Sequence, residues 1–259
     1  MIPIINKKVI IYVSSAIDIE SFVKINYGPG NNYGPRTIFD RDKRLSQTLL
    51  TIKNLKYFFP SSEIIIFDAG EVYDKAIESI NNTNCAKIYF LKNFNQDAYQ
   101  FSKNCSNKGL CETILTLEFL KKFDNKITEH EYFIKFSGRY IINNFSVNED
   151  FSNSFFTKRI FKFDYDTSIT LGVLPEHIYN NNIISWASTL IYGFPITSIE
   201  EFKKGMNEIY NFYDINKSVD YEILFYYNII NRMTKELSIK ELDILIEGRQ
   251  ATSGEAVFW

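Results

Sequence analysis

The segment Tyr132-Phe-Ile-Lys-Phe-Ser-Gly-Arg-Tyr-Ile-Ile-Asn143 holds the residues whose types and spacing speak most directly of chemistry. Ser137, Gly138 and Arg139 follow an apolar run of Phe133, Ile134 and Phe136. That run suits a strand covered on both faces. In an open α/β sheet, ligands collect in the crevice beyond the carboxyl ends of the strands. A glycine there lets a ligand or another backbone come close. The arginine beside it offers a planar fork of donors that matches a phosphate or a carboxylate. The plain alternative is a core strand that ends in an exposed arginine.

Other chemistries have little footing. The two histidines, His130 and His177, lie far apart, and no HExxH or Cys/His cluster occurs, which disfavours a zinc site. The three cysteines, Cys85, Cys105 and Cys111, are odd in number and show no Cys-x-x-Cys spacing, as expected of free thiols in a reducing compartment. A net charge of -2 and a pI near 5.8 give no bulk attraction to nucleic acid, so no nucleic-acid partner is expected. No apolar run reaches the ~18 residues of a membrane span and the N-terminus lacks a signal-peptide pattern. The expectation is a soluble, cytoplasmic protein with no transmembrane segment. At 259 residues and 45% hydrophobic content the chain can bury a sizeable core. With no repeat, linker or compositional break in view, it reads as one domain over residues 1–259.

The elements that must position the Ser-Gly-Arg turn follow a regular alternation. Lys8 to Ser14 is a β-branched strand that ends in the small residues Ser14, Ser15 and Ala16. Asn26 to Pro35 is rich in glycine and proline and reads as a surface loop. From Asp40, Leu45, Leu49, Ile52 and Leu55 share one helical face, and Pro60 closes the element. Glu63 to Asp68 is a second buried strand, Tyr73 to Ile80 a helix, and Lys87 to Leu91 a third strand. A polar loop then runs to Gly109, before a helix from Leu110 to Phe123. The Ser-Gly-Arg strand is the fourth. Strands alternating with helices argue for a three-layer α/β protein with a mostly parallel sheet. The second half is less regular. Thr167 to Val173 and Ser188 to Pro195 read as strands. Ser198 and Glu201 form a capping box for a helix to about Phe212, and Val219 to Leu237 reads as one long helix. The glycine-bearing tail Glu247 to Glu255 could close over a site.

Taken in order, Ile65-Ile-Phe-Asp-Ala-Gly70, Asn107-Lys-Gly-Leu-Cys-Glu112, Phe133-Ile-Lys-Phe-Ser-Gly-Arg-Tyr140 and Gly248-Arg-Gln-Ala-Thr-Ser-Gly-Glu255 resemble a known family. It is that of GT-A-fold glycosyltransferases, in a small group found in bacterial surface-polysaccharide clusters and large DNA viruses. Lys-x-Ser-Gly-Arg-Tyr is the most specific of these matches. The resemblance implies a Rossmann-type three-layer sandwich. Residues 1–143 would be the nucleotide-sugar-binding half and residues 144–259 the acceptor-binding and catalytic half. It places Ser14 and Ser15 at the nucleotide base and Asp68 on base or ribose. Lys108, before a helix, would join N-terminal backbone donors on an anion. Ser137, Gly138 and Arg139 would face the diphosphate, with Lys135 sharing the face of Ser137 two residues away. Arg249 is a second candidate clamp.

The chain departs from the family pattern where most GT-A enzymes carry Asp-x-Asp to hold a divalent metal. Ser137-Gly-Arg139 stands there, and a guanidinium cannot coordinate Mg²⁺ or Mn²⁺. Arg139 is therefore read as partly replacing the metal, no metal ligand is assigned, and a role for Mn²⁺ or Mg²⁺ stays open. Asp164-Tyr-Asp166 comes late in the chain for that motif. Inverting members place a carboxylate base near the start of a late helix. That position is Asp220-Tyr-Glu222, with Glu222 preferred, Asp220 second, and only one of the two expected to face the site. Glu255 is a third candidate. Tyr140, Trp186 and Tyr192 could line an acceptor site or simply pack in the core. The function implied is transfer from a nucleotide-sugar, a UDP-sugar on fold analogy, to a glycan acceptor in surface polysaccharide or glycoprotein glycan synthesis. A sugar-1-phosphate nucleotidyltransferase and a non-catalytic carbohydrate- or nucleotide-binding protein are the alternatives. The first lacks the glycine-rich loop it needs directly after the first strand.

Overall fold

The first strand sets the layers. The computed structural model describes residues 7–26, 33–145, 153–164, 183–215, 220–242, 244–249 and 256–258. In β1 (Val9–Ser15), Ile10 and Tyr12 enter one core, while Val9, Ile11 and Val13 enter another. Side chains on a strand alternate between faces, so a run buried at every position needs a cover on both sides.

A small hairpin of β2 (Ile25–Asn26) and β3 (Tyr33–Gly34) precedes helix α1 (Arg41–Phe58). Asp40 caps α1, its carboxylate accepting from the Lys43 amide at 2.7 Å. Then come β4 (Glu63–Asp68), α2 (Asp74–Asn81), β5 (Ala86–Phe90) and a 3₁₀ turn, Leu91–Asn93. Helices α3 (Gln96–Asn104), α4 (Lys108–Lys122) and α5 (Asp124–Thr128) lead to β6 (Tyr132–Ser137) and β7 (Tyr140–Phe145). β8 (Ser154–Thr157), β9 (Ile160–Asp164), β10 (Ile183–Ala187) and β11 (Ile191–Pro195) follow. After α6 (Ile199–Ile215), α7 (Tyr221–Phe225) passes through a π turn, Tyr226–Ile230, into α8 (Asn231–Met233). β12 (Ser238–Glu241), β13 (Ile244–Arg249) and β14 (Ala256–Phe258) end the chain.

The central sheet has the order β12-β8-β11-β6-β1-β4-β5. β6, β1, β4 and β5 run parallel, β12 runs parallel to β8, and β11 is antiparallel to both its neighbours. One face, with Tyr12, Phe67 and Phe133, packs on Phe119 of α4, Phe202 and Met206 of α6 and Phe225 of α7. The Tyr12 and Phe119 rings stack 4.1 Å apart. The other face, with Ile11, Ile66 and Ile134, packs on Leu45, Ile52 and Leu55 of α1 and Ile80 of α2. The sandwich has three layers and a mostly parallel sheet, as the alternation predicts.

β7 leaves the central sheet and joins β13 and β14. Side chains of α1 hold its other edge. Thr48 Oγ1 donates to the Gly138 carbonyl at 3.0 Å and Thr51 Oγ1 to that of Tyr140 at 2.8 Å. Asn54 both donates to the Ile142 carbonyl (2.8 Å) and accepts from its amide (2.7 Å).

The structure departs from the sequence expectation in several places, the first being the β2–β3 pairing that closes the expected loop Asn26 to Pro35. The polar stretch before Gly109 contains α3, capped by Asn95, which accepts from the Ala98 amide at 3.0 Å. Tyr99 and Ser102 are the buried positions of that helix, too few to give a clear apolar stripe. The long helix expected over Val219 to Leu237 begins at Tyr221 and is interrupted by the π turn. Glu201 turns its carboxylate to Lys204 and Arg232 rather than back over the start of α6. The strand expected at Thr167 to Val173, and the tail residues 250–255, lie outside the described residues.

Candidate active site

The carboxyl ends of three strands meet at one point. Ser14 of β1 lies opposite Ser137 of β6, and Ser15 lies opposite Asp68 of β4. The Gly138 amide donates to the Ser14 carbonyl at 2.9 Å. A Cβ at Gly138 would stand 3.1 Å from that same oxygen and from Val13 Cγ1. Glycine therefore lets the Ser-Gly-Arg turn close onto β1.

Lys135 lies beneath this turn, 1% exposed. Its ammonium contacts Glu112 Oε1 at 2.8 Å, the Thr189 carbonyl at 2.7 Å and Ser137 Oγ at 3.0 Å. It donates to the carbonyl and the hydroxyl and pairs by charge with Glu112, whose Oε1 takes no hydrogen bond among the described residues. Burial opposes the Glu112 charge, but Lys135, Ser14 and Lys108 outweigh it and hold the carboxyl below its usual range. A buried ion pair of this kind fixes geometry more than it adds stability.

Two helix N-termini bring further groups. Asn107 caps α4, accepting from the Leu110 amide at 2.9 Å, and Lys108 opens the helix. A Cβ at Gly109 would stand 2.7 Å from Tyr221 Cβ, so α4 and α7 approach closely only because that residue is glycine. Much of Lys108 meets solvent, yet desolvation by the surrounding protein, and then Arg139, lowers its ammonium pKa. On α7, Asp220 is the cap, and its Oδ1 accepts from the Glu222 amide at 2.9 Å. Thr189 Oγ1 donates to Glu222 Oε1 at 3.1 Å. Burial, then the neighbouring Asp220 carboxyl, pushes Glu222 up to about 8. The expectation that Asp220 and Glu222 face different ways assumed that both are helical. Asp220 lies outside the helix, and a cap folds its side chain back over the first turn, so the two carboxyls sit together.

Asp68 is fully buried. Its Oδ2 accepts from the Ile17 amide at 2.9 Å and its Oδ1 from the Gly70 amide at 2.7 Å, bracing the loops after β1 and β4. Burial raises its pKa. Arg139 is partly buried, and its Nη1 has no hydrogen-bond partner among the described residues. The side chains of Arg249 and Asp164, and the whole of Asp166 and Glu255, lie outside the described residues. Tyr192 is fully buried, its ring 4.7 Å from that of Phe225 and stacked on Phe155, so it belongs to the core and not to an acceptor wall. Tyr140 is 8% exposed, against Gly248, and Trp186 packs on Phe161.

The site thus gathers Ser14, Ser137, Lys135, Arg139, Lys108 and Glu222. Sequence reasoning missed Glu112, Thr189 and Arg44. Glu112 is four residues after Lys108 and so shares its helical face, a signal that was there to read. Thr189 gave none. Arg44 is a charge one turn before Thr48 on the inward face of α1, where it is 5% exposed. Burial, then Arg139, lowers its pKa to about 9. Among the described residues, no group of three His, Cys, Asp or Glu could hold a metal ion. At the turn after β6 the donors are a hydroxyl and cations, which do not fit a divalent cation. No helix of the described residues is long and apolar enough to cross a membrane, and the three cysteines form no disulfide.

No protein-family model matches the sequence, and no curated protein matches it. Among solved structures the chain is similar to core-mannan synthase A from Aspergillus fumigatus in its Mn/GDP form. The TM-score is 0.50 and the identity 10%, over 92% of this chain and 74% of that one. At that identity the likeness speaks for the fold alone. Seven strands in a mostly parallel sheet, helices on both faces and this match give the chain a GT-A-like Rossmann fold.

Proposed function

We propose that the chain is a glycosyltransferase that moves a sugar from a nucleotide-sugar, a UDP-sugar in the first instance, to a glycan acceptor with inversion at the anomeric carbon. The observation that carries the reading is Glu222. Its carboxyl is raised toward neutrality beside a cationic turn at the carboxyl edge of the sheet. A general base works best with a pKa near the working pH.

In the proposed step the acceptor hydroxyl oxygen forms a bond to the anomeric carbon. The bond from that carbon to the diphosphate oxygen breaks, and the diphosphate leaves with the electron pair. The hydroxyl proton passes to Glu222, with Asp220 holding the base in place. Arg139 and Lys108 meet the charge that develops on the leaving group. Lys135, buried and held by its ion pair and two hydrogen bonds, positions Ser137 and Glu112 rather than touching phosphate. The solved relative contains Mn and GDP. The cationic donors at the turn after β6 support a metal-independent departure of the diphosphate in this chain. A surface polysaccharide or glycoprotein glycan is the acceptor class implied by the resemblance of the Lys-x-Ser-Gly-Arg-Tyr segment.

The test is a panel of UDP-, GDP-, CDP- and dTDP-sugars, each with EDTA or Mn²⁺, read by thermal shift and donor consumption. A ligand that binds only the folded state raises the midpoint by mass action. A shift and turnover with one nucleotide class in EDTA are expected. No shift with any of them in either condition would refute the reading and favour the non-catalytic alternative.

A further inference from the structure

The second turn of α1 carries a guanidinium for which the described residues supply no hydrogen-bond partner. Arg44 is 5% exposed, and its Nε is buried with no hydrogen bond. Among the described residues its guanidinium makes no ion pair. Thr48, one turn further along the same face, bonds the Gly138 carbonyl. Arg44 lies one turn before Thr48 on that face, so it stands near the Ser137–Arg139 turn that Thr48 holds. The charges that surround it are those of Arg139, Asp68, Arg36 and Asp18.

Asp68 and Asp18 oppose its charge, yet among the described residues neither makes an ion pair or a hydrogen bond with the guanidinium. Asp68 gives both oxygens to backbone amides, and Asp18 pairs with Arg41 at 3.3 Å. Arg36 has the same sign and is bound to the carbonyls of Val23, Ser102 and Cys105. Arg139, beside it, leaves Nη1 unpartnered as well. A buried charge is costly unless it is paired and hydrogen-bonded. Two guanidiniums with open donors and no ion-paired carboxylate among the described residues form a site that an anion completes. Two forks side by side suit a group with several acceptor oxygens and at least two charges.

We infer that Arg44 is the second anchor of a diphosphate site, closing with Arg139 on the diphosphate of a nucleoside diphosphate or its sugar derivative. The inference rests on the transferase reading above and adds to it a residue on a different helix.

Binding of UDP, UMP and inorganic pyrophosphate is measured by titration calorimetry in EDTA, for the parent protein, Arg44→Met and Arg44→Lys. The parent should bind UDP and pyrophosphate. Arg44→Met should weaken both by about 10–100-fold, the scale of hydrogen bonds to a charged group, and change UMP affinity far less. Arg44→Lys keeps the charge without the fork and should fall between. Ligand-free Arg44→Met should melt no lower than the parent, because an unpaired buried charge has been removed. If UDP and pyrophosphate bind the parent and Arg44→Met within about 2-fold, this inference alone falls. A lower ligand-free midpoint with unchanged pyrophosphate affinity makes Arg44 a structural residue and overturns it too. If neither ligand binds the parent, the transferase reading falls with it. Should Arg44→Met fail to fold, a pyrophosphate affinity in Arg44→Lys equal to the parent's overturns the inference.

Discussion

Replacing Glu222 with glutamine should make the protein more stable and far less active. Burial and Asp220 carry this carboxyl from 4.5 to about 8. Between those values the folded state keeps a proton that the unfolded chain has released. Stability therefore falls as pH rises from about 4.5 toward 8 and levels off above it. At ~1.4 kcal/mol per pKa unit, holding the proton at pH 7 costs at most about 3.5 kcal/mol. Partial exposure of the residue reduces this, so about 1–2 kcal/mol is the working figure. The glutamine carbonyl can still accept from Thr189, and its side-chain amide can donate to the neighbouring Asp220 carboxyl. For a chain of this size ~2–4 °C accompanies each kcal/mol, so the midpoint should rise by about 2–8 °C. Thermal unfolding of parent and variant from pH 4.5 to 8.5 should give curves that coincide at the acid end and separate above it. Loss of a general base should lower turnover by about 10²–10⁴-fold. A variant that melts at or below the parent at pH 8 would refute the reasoning on the carboxyl. A stable variant with full activity would place the base elsewhere.

Three further outcomes are expected. kcat/KM of the parent should rise with pH through about 8 and then flatten, because the base must be deprotonated, and this limb should vanish from the residual activity of Glu222→Gln; a profile flat from pH 6 to 9 in the parent would contradict it. Arg139→Ala should weaken sugar-nucleotide binding by about 10–100-fold, with Arg139→Lys intermediate, since a lysine is a point charge and not a fork; unchanged binding and turnover would remove its diphosphate role. Lys135→Met leaves Glu112 without its cation and should lower stability by up to about 3 kcal/mol in a urea melt, most strongly at neutral pH where Glu112 is ionised; a pH-independent loss would mean that packing, not charge, was removed.

Much of the first half was legible because its strands are buried on both faces. Runs such as Glu63 to Asp68, bounded by Pro60 on one side and Gly70 on the other, have no other reading at that length. The period of two placed Lys135 on the face of Ser137, where the two do meet. What was not legible depended on where a helix begins. Whether Asp220 and Glu222 diverge or converge turns on Asp220 being a cap, one residue outside α7. Thr189 reaches Glu222 only through the antiparallel return of β11 beside β6, a tertiary fact with no local trace. Tyr192 and Tyr140 could not be sorted between core and surface because an aromatic ring suits either. Arg44 could have been suspected, since a charge on an otherwise inward helical face asks for a partner.

The clasp of α1 on β7 also bears on what this protein can assemble with. β7 lies at the edge of its three-stranded sheet, and an edge strand is ordinarily a template for one more strand. Gly138, Tyr140 and Ile142 alternate along one side, and Thr48, Thr51 and Asn54 fill the hydrogen-bonding groups there. A helix has taken the place of the missing neighbour. That side is closed to strand addition, whether by an extended segment of an acceptor protein or by another copy of this chain. Growth of this sheet is left to its opposite edge, β14, and growth of the central one to β5 and β12. The strand that follows the Ser-Gly-Arg turn is thereby kept from taking a new strand on its own edge.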